Sequence, residues 1–372
     1  MLKVGITGQS GFIGNHLFNF LGLKKGEITR IPFRDDYFSD HIKLEEFVKQ
    51  CDVIVHLAAL NRHNDPQTIY DTNVDLIKRL ITAFKNSGSK PHVLFSSSIQ
   101  EERENIFGRS KREGRDMLAQ WAEKNNAIFT GLIIPNVFGP FGNPYYNSVV
   151  ATFSHQLTHN EEPRIDVDAQ LKLIYISDLV KIIYNAICNK LSDKEFRVSH
   201  TTEINVTEIL TLLKGFKSLY IEKGTFPDLN DSFECSLFNT FICYMGIENH
   251  FPVKLKQSTD DRGSFVETVK LNSGGQVSFS TTIPGITRGN HFHTRKAERF
   301  AVIKGKALIQ LRRIGTDKVL NFELDGNEPS YVDMPIWYTH NITNVGNDDL
   351  YTIFWINEFF DPGDPDTFFE KV

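Results

Sequence analysis

The sequence predicts two domains of different class: an α/β domain with a parallel sheet covered by helices, followed by an all-β barrel. The length of 372 residues suits two hydrophobic cores better than one. Residues 1–190 alternate short apolar runs with helical patterns, which is typical of a parallel sheet. After about residue 255 the segments become short and strand-like, with frequent Gly and Pro turns, which favours a barrel. We therefore predict domains at residues 1–245 and 246–372.

The first domain contains five strand-like runs, which alternate with four helical patterns. The predicted strands lie at residues 3–7, 28–32, 53–57, 93–97 and 132–135. The predicted helices lie at residues 15–23, 44–50, 74–86 and 110–123. An apolar helix-like stretch at residues 236–245 closes the domain.

Composition and charge exclude several classes of function. The formal charge of −5 and the lack of a Lys/Arg run argue against a nucleic-acid partner or a membrane surface. No apolar stretch reaches the roughly 18 residues that a membrane span needs. The chain starts on a strand and a turn rather than on a signal peptide, and its four cysteines lack CxxC spacing. We expect reduced thiols and a cytoplasmic protein.

A glycine-rich turn follows the first strand. Gly8, Gly11 and Gly14 give the spacing GxxGxxG directly before an amphipathic helix. This arrangement allows a tight turn, close backbone approach to a pyrophosphate, and a helix amino terminus that faces the phosphates. We predict a Rossmann-type dinucleotide site at this turn, with Phe12 and Ile13 also contacting the cofactor.

The end of the second strand should select between NAD and NADP. An acidic side chain there binds the ribose 2′-hydroxyl, whereas an Arg meets a 2′-phosphate. Arg34 is followed by Asp35 and Asp36, so both kinds of residue are present. We favour NADP(H), bound by Arg34. The alternatives are NAD held by an Asp, or Arg34 as a solvated loop charge.

Several short motifs resemble those of the extended short-chain dehydrogenase/reductase family over roughly residues 1–245. They are the run His56-Leu57-Ala58-Ala59, Asn73 at the start of the next helical pattern, the serine run at 96–98, and Ser110-Lys111. The resemblance implies that the cofactor contacts Leu57, Ala58, Asn73, Lys111 and Pro135.

The same resemblance implies a Ser–Tyr–Lys group, in which Lys lowers the pKa of the Tyr that exchanges a proton with the substrate. Ser98, with Ser97 second, and Lys111 match this pattern, but Phe107 occupies the position of the family Tyr. Phenylalanine has no proton to give. Either the residue was substituted to trap a complex, or the natural domain has weakened or lost its redox step.

The second domain carries a metal-ligand constellation. Gly285, His291, His293, Glu298 and Gly305 follow the spacing G(x)5HxH(x)4E(x)6G, the first motif of the cupins. A second motif supplies His340. Two histidines two residues apart on a strand project from one face, and three imidazoles with one carboxylate suit a divalent metal. We therefore predict a cupin (jelly-roll) barrel whose ligands His291, His293, Glu298 and His340 bind zinc.

Residues 260–265 resemble the DxRGxF stretch of the nucleotide-sugar 3,5-epimerases, which are also cupins. The resemblance implies that Arg262 contacts the sugar nucleotide. The alternative is an Asp-Arg-Gly turn closed by an ion pair.

The order and length of the two halves resemble one family: the bifunctional enzymes of bacterial capsular polysaccharide synthesis on the way to UDP-N-acetyl-L-fucosamine. The resemblance implies C3 epimerisation of a UDP-2-acetamido-2,6-dideoxy-4-hexulose in the cupin domain. It further implies NADPH-dependent C4 reduction to UDP-2-acetamido-2,6-dideoxy-L-talose in the first domain, and a homodimer through residues 246–372.

Three hypotheses of function remain open on the sequence. The first is the bifunctional enzyme, with C4 reduction impaired by Phe107. The second is an enzyme in which only the epimerase is active. The third is a non-catalytic redox-sensing protein that binds NADPH without turnover. Exchange of the C3 proton and oxidation of NADPH separate the three.

Overall fold

The computed structural model describes all 372 residues, which form two compact units. The first unit comprises Met1–Phe138, Gly142–Ser148 and Ala169–Asn205. The second comprises Gly139–Phe141, Val149–Asp168 and Val206–Val372. None of the helices combines the length and the apolar character that crossing a bilayer requires.

The first unit is built on a six-stranded parallel sheet and a smaller three-stranded sheet. Its strands are β1 (Leu2–Thr7), β2 (Ile28–Ile31), β3 (Val53–His56), β4 (His92–Ser98), β5 (Phe129–Ile134), β6 (Asn136–Phe138), β7 (Gln170–Tyr175), β8 (Asp193–Arg197) and β9 (Thr202–Asn205). The large sheet has the order β2-β1-β3-β4-β5-β8, and the small one β6-β7-β9. The order reverses after β1, as in doubly wound folds, and ligands bind beyond the carboxyl ends of the strands at such a point.

Three of the five helices of the first unit begin at a side-chain cap. The helices are α1 (Phe12–Gly22), α2 (His41–Gln50), α3 (Pro66–Ser87), α4 (Ile106–Asn125) and, after α5 of the other unit, α6 (Ile176–Cys188). The caps are supplied by Asp40 for α2, Asp65 for α3 and Asn105 for α4. The prediction that Asn73 begins a helix is wrong. The helix α3 begins at Pro66, because Asp65 caps it and Pro is favoured in the first turn. Asn73 therefore lies two turns inside α3, where it is buried.

The core of this unit lies between the sheet and the helices α2, α3 and α4. The strand β3 is buried along its whole length, which explains its unbroken apolar sequence. Aromatic side chains fill the layer, including Phe47 from α2, Phe84 from α3 and Trp121 from α4. This packing fixes the carboxyl ends of β1, β3 and β4, from which the candidate site residues extend.

The second unit combines a small group of helices with an antiparallel barrel. The helices are α5 (Val149–Thr158), α7 (Val206–Phe216), α8 (Ser232–Ile242) and α9 (Ile247–His250), with a π-helical turn at Lys217–Glu222. The helices α5, α7 and α8 contact one another. The predicted apolar helix at residues 236–245 corresponds to α8, which begins four residues earlier because Asp231 caps it.

The barrel consists of two five-stranded antiparallel sheets. The strands of the second unit are β10 (Thr225–Phe226), β11 (Val253–Lys254), β12 (Gln257–Asp260), β13 (Gly263–Val266), β14 (Lys270–Leu271), β15 (Gln276–Thr282), β16 (Thr287–Phe292), β17 (Glu298–Lys304), β18 (Lys306–Arg313), β19 (Val319–Asp325), β20 (Ser330–Met334), β21 (Tyr338–Asn344), β22 (Leu350–Ile356) and β23 (Phe368–Phe369). The sheets run β11-β20-β17-β22-β15 and β19-β18-β21-β16-β23. Apolar residues from both sheets, such as Ile309, Val332 and Leu350, form one core. The predicted cupin fold is confirmed.

The segment between α7 and the barrel packs on the barrel strands. Arg299 and Asp333 form a buried ion pair with Nε–Oδ1 at 2.7 Å, and the Tyr220 hydroxyl donates to Asp333 at 2.7 Å. Arg299 also donates to the Gly224 carbonyl at 2.9 Å.

The two compact units are defined by contacts, whereas the predicted domains are continuous stretches of sequence. The predicted domain boundary near residue 246 therefore stays a prediction.

Candidate functional site

The glycine-rich turn packs against the chain that leaves β3. Gly8 has φ +70°, and a Cβ there would lie 2.7 Å from the Ala58 nitrogen. A Cβ on Gly14 would lie 2.1 Å from the Gly8 oxygen. Because neither position accepts a side chain, the backbone of the turn stays open to a ligand. Gly11 precedes α1, where no side chain caps the N–H groups of the first turn, formed by Phe12 and Ile13.

The end of β2 is tied to the same turn. Gln9 Oε1 accepts from the Phe33 nitrogen at 3.3 Å, and the Ser10 hydroxyl donates to Asp35 at 2.9 Å. Arg34 is 74% exposed and pairs with Asp36 at 3.2 Å. The acidic candidate Asp35 therefore contacts the glycine turn directly, and the basic candidate Arg34 is its neighbour in the chain.

His56 closes β3 inside the core, just before Leu57 and Ala58. Its Nδ1 lies 2.6 Å from the Thr7 hydroxyl. Burial, followed by the nearby charge of Lys111, lowers the pKa of His56 to about 3. The imidazole is therefore neutral at ordinary pH, and its effect here is to join the carboxyl ends of β1 and β3.

Asn73 joins the loop after β3 to α4. Its amide accepts from the Leu60 nitrogen at 2.7 Å and donates to the Leu60 carbonyl at 3.1 Å. It also donates to the Ser110 hydroxyl at 3.0 Å. These bonds fix the residue next to Lys111, a structural role that sequence reasoning missed. A buried Asn inside an otherwise apolar helix face was the available signal.

The family Ser–Tyr–Lys positions lie at the end of β4 and on α4. Phe107 and Lys111 are one helical turn apart, so they share a face. The Lys111 Nζ lies 4.6 Å from the Phe95 ring centre and 6.0 Å from that of Phe107. Burial lowers the pKa of Lys111 to about 7, against an opposing effect of Glu101. The first unit thus has the lysine of the family's Ser–Tyr–Lys group, but Phe107 stands where the group has its tyrosine.

Ser98 and Pro135 lie at the carboxyl ends of the neighbouring strands β4 and β5. Ser98 pairs in register with Ile134, the residue before Pro135. The Ser98 hydroxyl accepts from the Gln100 nitrogen at 3.2 Å, whereas Ser97 donates to the buried Glu101. In these bonds Ser97 uses its hydroxyl proton, whereas Ser98 only accepts, so Ser98 is the better placed of the two to donate to a substrate.

Glu101 and Arg115 form a buried pair that the sequence analysis missed. The Arg115 guanidinium donates to both carboxylate oxygens of Glu101 at 3.0–3.2 Å. Glu101 precedes α4 and Arg115 lies within it, and no spacing rule predicts such a contact. The pair places a negative charge close enough to Lys111 to favour its charged form.

The predicted metal ligands converge inside the barrel. His291 lies in β16, His293 directly follows that strand, Glu298 is the first residue of β17 and His340 lies in β21. One ligand atom from each lies within 4.8 Å of the others. Glu298 Oε2 is 3.2 Å from His293 Nε2 and 3.1 Å from His340 Nε2, and all three atoms are buried without a hydrogen-bond partner. Buried polar atoms without partners that face one another are what a metal would satisfy.

The pKa shifts of His291 and Glu298 favour the deprotonated forms that bind cations, whereas at His293 the effect of burial is outweighed by the neighbouring Glu298, which raises the pKa of His293. Burial lowers the pKa of His291 to about 4. Burial alone would raise the pKa of Glu298, but the adjoining imidazoles of His293 and His340 outweigh it and hold that pKa well below its usual range. Three imidazoles and one carboxylate are a donor set that suits zinc and related ions.

Arg262 lies in the turn of the hairpin formed by β12 and β13. Its side chain is 90% exposed and pairs with Asp260 at 2.6 Å. This arrangement is the Asp-Arg-Gly turn closed by an ion pair, which is the alternative to contact with a sugar nucleotide. An exposed guanidinium on a two-stranded hairpin also remains accessible to a ligand, so the geometry accommodates both interpretations.

Two family models match the chain in the order of its two folds. The NAD dependent epimerase/dehydratase family covers residues 4–199. The polysaccharide biosynthesis C-terminal domain covers residues 258–368.

Characterised relatives extend the match to the whole chain. UDP-2-acetamido-2,6-beta-L-arabino-hexul-4-ose reductase of Pseudomonas aeruginosa is 34% identical over 369 residues, covering 99% of this chain and 98% of that protein. The crystal structure of the capsular polysaccharide assembling protein CapF of Staphylococcus aureus is 35% identical, covers both chains fully and gives a TM-score of 0.63. The spore coat polysaccharide biosynthesis protein SpsL of Bacillus subtilis is 27% identical over 123 residues, 30% of this chain and 82% of that protein. The chain therefore belongs to the bacterial capsular-polysaccharide family of nucleotide-sugar reductases and epimerases, enzymes that join an NAD(P)-dependent dehydrogenase-type domain to a cupin domain.

Proposed function

We propose that this enzyme acts twice on one UDP-sugar. The cupin domain epimerises C3 of UDP-2-acetamido-2,6-dideoxy-4-hexulose, and the first domain reduces C4 with NADPH to give UDP-2-acetamido-2,6-dideoxy-L-talose. The observation that supports this best is that one chain contains both a buried Lys111 at the family position and a converging site of three histidines and one glutamate. The name of the full-length Pseudomonas relative supports the substrate class.

We assign NADPH to the carboxyl edge of the parallel sheet. The glycine turn and the first turn of α1 receive the pyrophosphate, and Arg34 receives the 2′-phosphate. The remaining contacts are assigned to Leu57, Ala58, Asn73, Lys111 and Pro135. When bound, the nicotinamide supplies a hydride to C4.

The residues beside the nicotinamide then manage the oxygen of C4. Ser98 donates a hydrogen bond to the keto oxygen, and Lys111 favours the negative charge that develops there. Phe107 cannot supply the proton that completes the alcohol. Water or a neighbouring hydroxyl must do so, and we expect C4 reduction to be slow.

Epimerisation uses the acidity that a 4-keto group gives to the C3 proton. A base removes that proton and an acid returns one to the opposite face. We assign Arg262 to contact the sugar nucleotide, as the resemblance to the nucleotide-sugar 3,5-epimerases implies. His291, His293, Glu298 and His340 would hold zinc, which as a Lewis acid can polarise a carbonyl oxygen or, as a structural ion, can fix the strands.

The assembly that we propose is a cytoplasmic homodimer through the cupin domain. The strand β15 lies at the edge of its sheet, and Val277 and Phe279 on it are 59% and 73% exposed. Phe359, Phe360 and Phe369 in the C-terminal segment are also exposed, while the neighbouring Phe368 is partly covered. Apolar surface of this kind at an unpaired edge is suited to a second copy. With a formal charge of −5, no nucleic-acid partner is expected.

The experiment that tests the proposal follows the two steps separately. The full chain is incubated with the UDP-4-keto sugar in deuterium oxide, and C3 deuteration is measured by mass spectrometry with and without NADPH. The bifunctional enzyme incorporates deuterium without NADPH and slowly consumes NADPH when it is added. Deuteration with no NADPH consumption at any enzyme concentration supports the epimerase-only alternative. Neither reaction, combined with NADPH binding, supports the sensor and refutes the proposal.

A further inference from the structure

The last residues of the chain lie across the strands that carry the candidate metal ligands. The short strand β23 pairs with β16, with Phe369 opposite His291 and Phe368 opposite Phe292. The Glu370 nitrogen donates to the Asn290 carbonyl at 3.0 Å. The C-terminal segment is therefore attached to the strand that carries His291 and leads directly into His293.

Asp366 makes a denser set of contacts than its neighbours in this segment. Its carboxylate accepts from the backbone nitrogens of Thr294, Arg295 and Lys296 at 3.1, 2.9 and 3.3 Å. It also accepts from the Thr294 hydroxyl at 2.6 Å. The residue is only 4% exposed. These bonds hold the loop that joins His293 to Glu298, two of the four candidate ligands.

The main chain of Asp366 acts on His293 itself. The Asp366 carbonyl lies 2.6 Å from His293 Nδ1, so that nitrogen carries the proton and donates. The other ring nitrogen, Nε2, is then left with a lone pair and faces Glu298. Hydrogen bonds of this kind fix the tautomer and orientation of metal-binding histidines.

From this geometry we infer that Asp366 is a positioning residue for the metal: its carboxylate clamps the 294–296 loop while its carbonyl orients His293. The inference rests on the proposed metal site. It also assigns a role to the C-terminal segment, whose removal would free His293 to rotate.

The chain offers a matched control in the same segment. Asp364 is 70% exposed and pairs with Arg295 at 3.0 Å, but it contacts none of the backbone nitrogens that Asp366 binds. The backbone of Asp366 has φ 42°, a conformation that Asn adopts readily. Asp366→Asn therefore keeps the backbone while removing the carboxylate, and Asp366→Ala removes the side chain altogether.

The test measures metal binding by the full-length protein. The parent, Asp366→Asn, Asp366→Ala and Asp364→Asn are stripped with a chelator, and Zn²⁺ affinity is measured by competition with a chromophoric chelator. The absorption spectrum of the Co²⁺ form reports the ligands around the metal, and the melting temperature of each metal-free protein reports folding. We expect both Asp366 variants to bind Zn²⁺ about 10–100-fold more weakly, with an altered Co²⁺ spectrum. We expect Asp364→Asn to stay within about threefold of the parent.

The outcomes separate this inference from the metal site on which it rests. If the parent takes up no metal, the proposed site itself fails. If the parent binds metal but Asp366→Asn binds it within about threefold and gives the same Co²⁺ spectrum, the site stands and Asp366 has no positioning role. Should Asp366→Ala fail to fold, Asp366→Asn decides the question alone. Equal weakening by Asp364→Asn would also overturn the inference, because any loosening of the segment would then suffice.

Discussion

Replacing Phe107 by Tyr should restore a proton donor at the position where the family has one. The ring of Phe107 is half-buried and its centre lies 6.0 Å from the Lys111 Nζ, so the substitution adds a hydroxyl without moving the ring. At an effective dielectric constant of about 20, one charge at that distance is worth about 2.8 kcal/mol. That energy corresponds to a lowering of the tyrosine pKa by about 2 units, from about 10 towards neutrality.

A general acid in position is worth about 10²–10⁴ in rate. We therefore expect Phe107→Tyr to accelerate NADPH oxidation with the keto sugar by about two orders of magnitude or more, which corresponds to a barrier lower by at least about 2.7 kcal/mol. Deuterium exchange at C3 should be unchanged, because it depends on the other domain.

The assay follows the loss of NADPH absorbance in single-turnover mode, so that product release does not mask the chemical step. Phe360→Tyr, at an exposed site of the second unit, serves as the matched control and should give no acceleration. Adding Lys111→Met to Phe107→Tyr should remove most of the gain. If the parent chain already turns over at an ordinary enzymatic rate, or if Phe107→Tyr leaves the rate unchanged, another group donates the proton and the reasoning about this position is wrong.

Four further predictions follow from the two sites. In calorimetric titration the parent should bind NADPH several-fold more tightly than NADH, and Arg34→Ala should abolish this preference. Equal affinities of the parent for the two cofactors would overturn the assignment of Arg34. Protein purified without chelator should contain about one divalent ion per chain by elemental analysis, most readily zinc; absence of metal, together with no uptake on titration, would contradict this. Folding lowers the pKa of His56 from 6.5 to about 3, so between these pH values the unfolded state binds one more proton than the folded state. The free energy of unfolding should therefore fall by up to about 1.4 kcal/mol for each pH unit below 6.5. In urea unfolding, His56→Gln should flatten this slope, and an unchanged slope would refute the role of His56. Light scattering at micromolar concentration should give the mass of a dimer, and a monomer would count against the proposed assembly.

Short-range pattern was enough to predict the site residues that sit on regular elements. Glycine spacing predicted the turn after β1, where a Cβ at Gly8 or Gly14 would strike backbone. The cupin spacing predicted that His291 and His293 lie close together, and they do, although His293 lies just beyond β16. Contacts between residues far apart in sequence could not be predicted in this way. Asp366 reaches His293 across 73 positions, and Asn73 reaches Ser110 across 37. Such pairs depend on how elements pack, which a single sequence does not encode in any local spacing.

A second limit of prediction from sequence concerns which residue after β2 binds the ribose of the cofactor. Arg34 and Asp35 are adjacent, and in the folded chain Asp35 contacts the glycine turn. The competition between a 2′-phosphate and a 2′-hydroxyl is decided by small differences in side-chain placement rather than by fold. Arg34, Asp35 and Asp36 all stay candidates, and titration with the two cofactors distinguishes a basic from an acidic partner of the ribose.

The buried Arg299–Asp333 pair has a consequence for dissecting this enzyme. Tyr220 and Gly224, which complete its hydrogen bonds, precede residue 246, so a fragment cut at that point would keep both charges while losing two of their partners. A buried polar atom stripped of its partner costs about 1–3 kcal/mol, a large share of what holds a small domain together. A recombinant barrel intended for crystallisation or for inhibitor screening should therefore start ahead of Val206. The segment from Val206 to residue 246 is therefore a structural part of the second unit and not a linker to it.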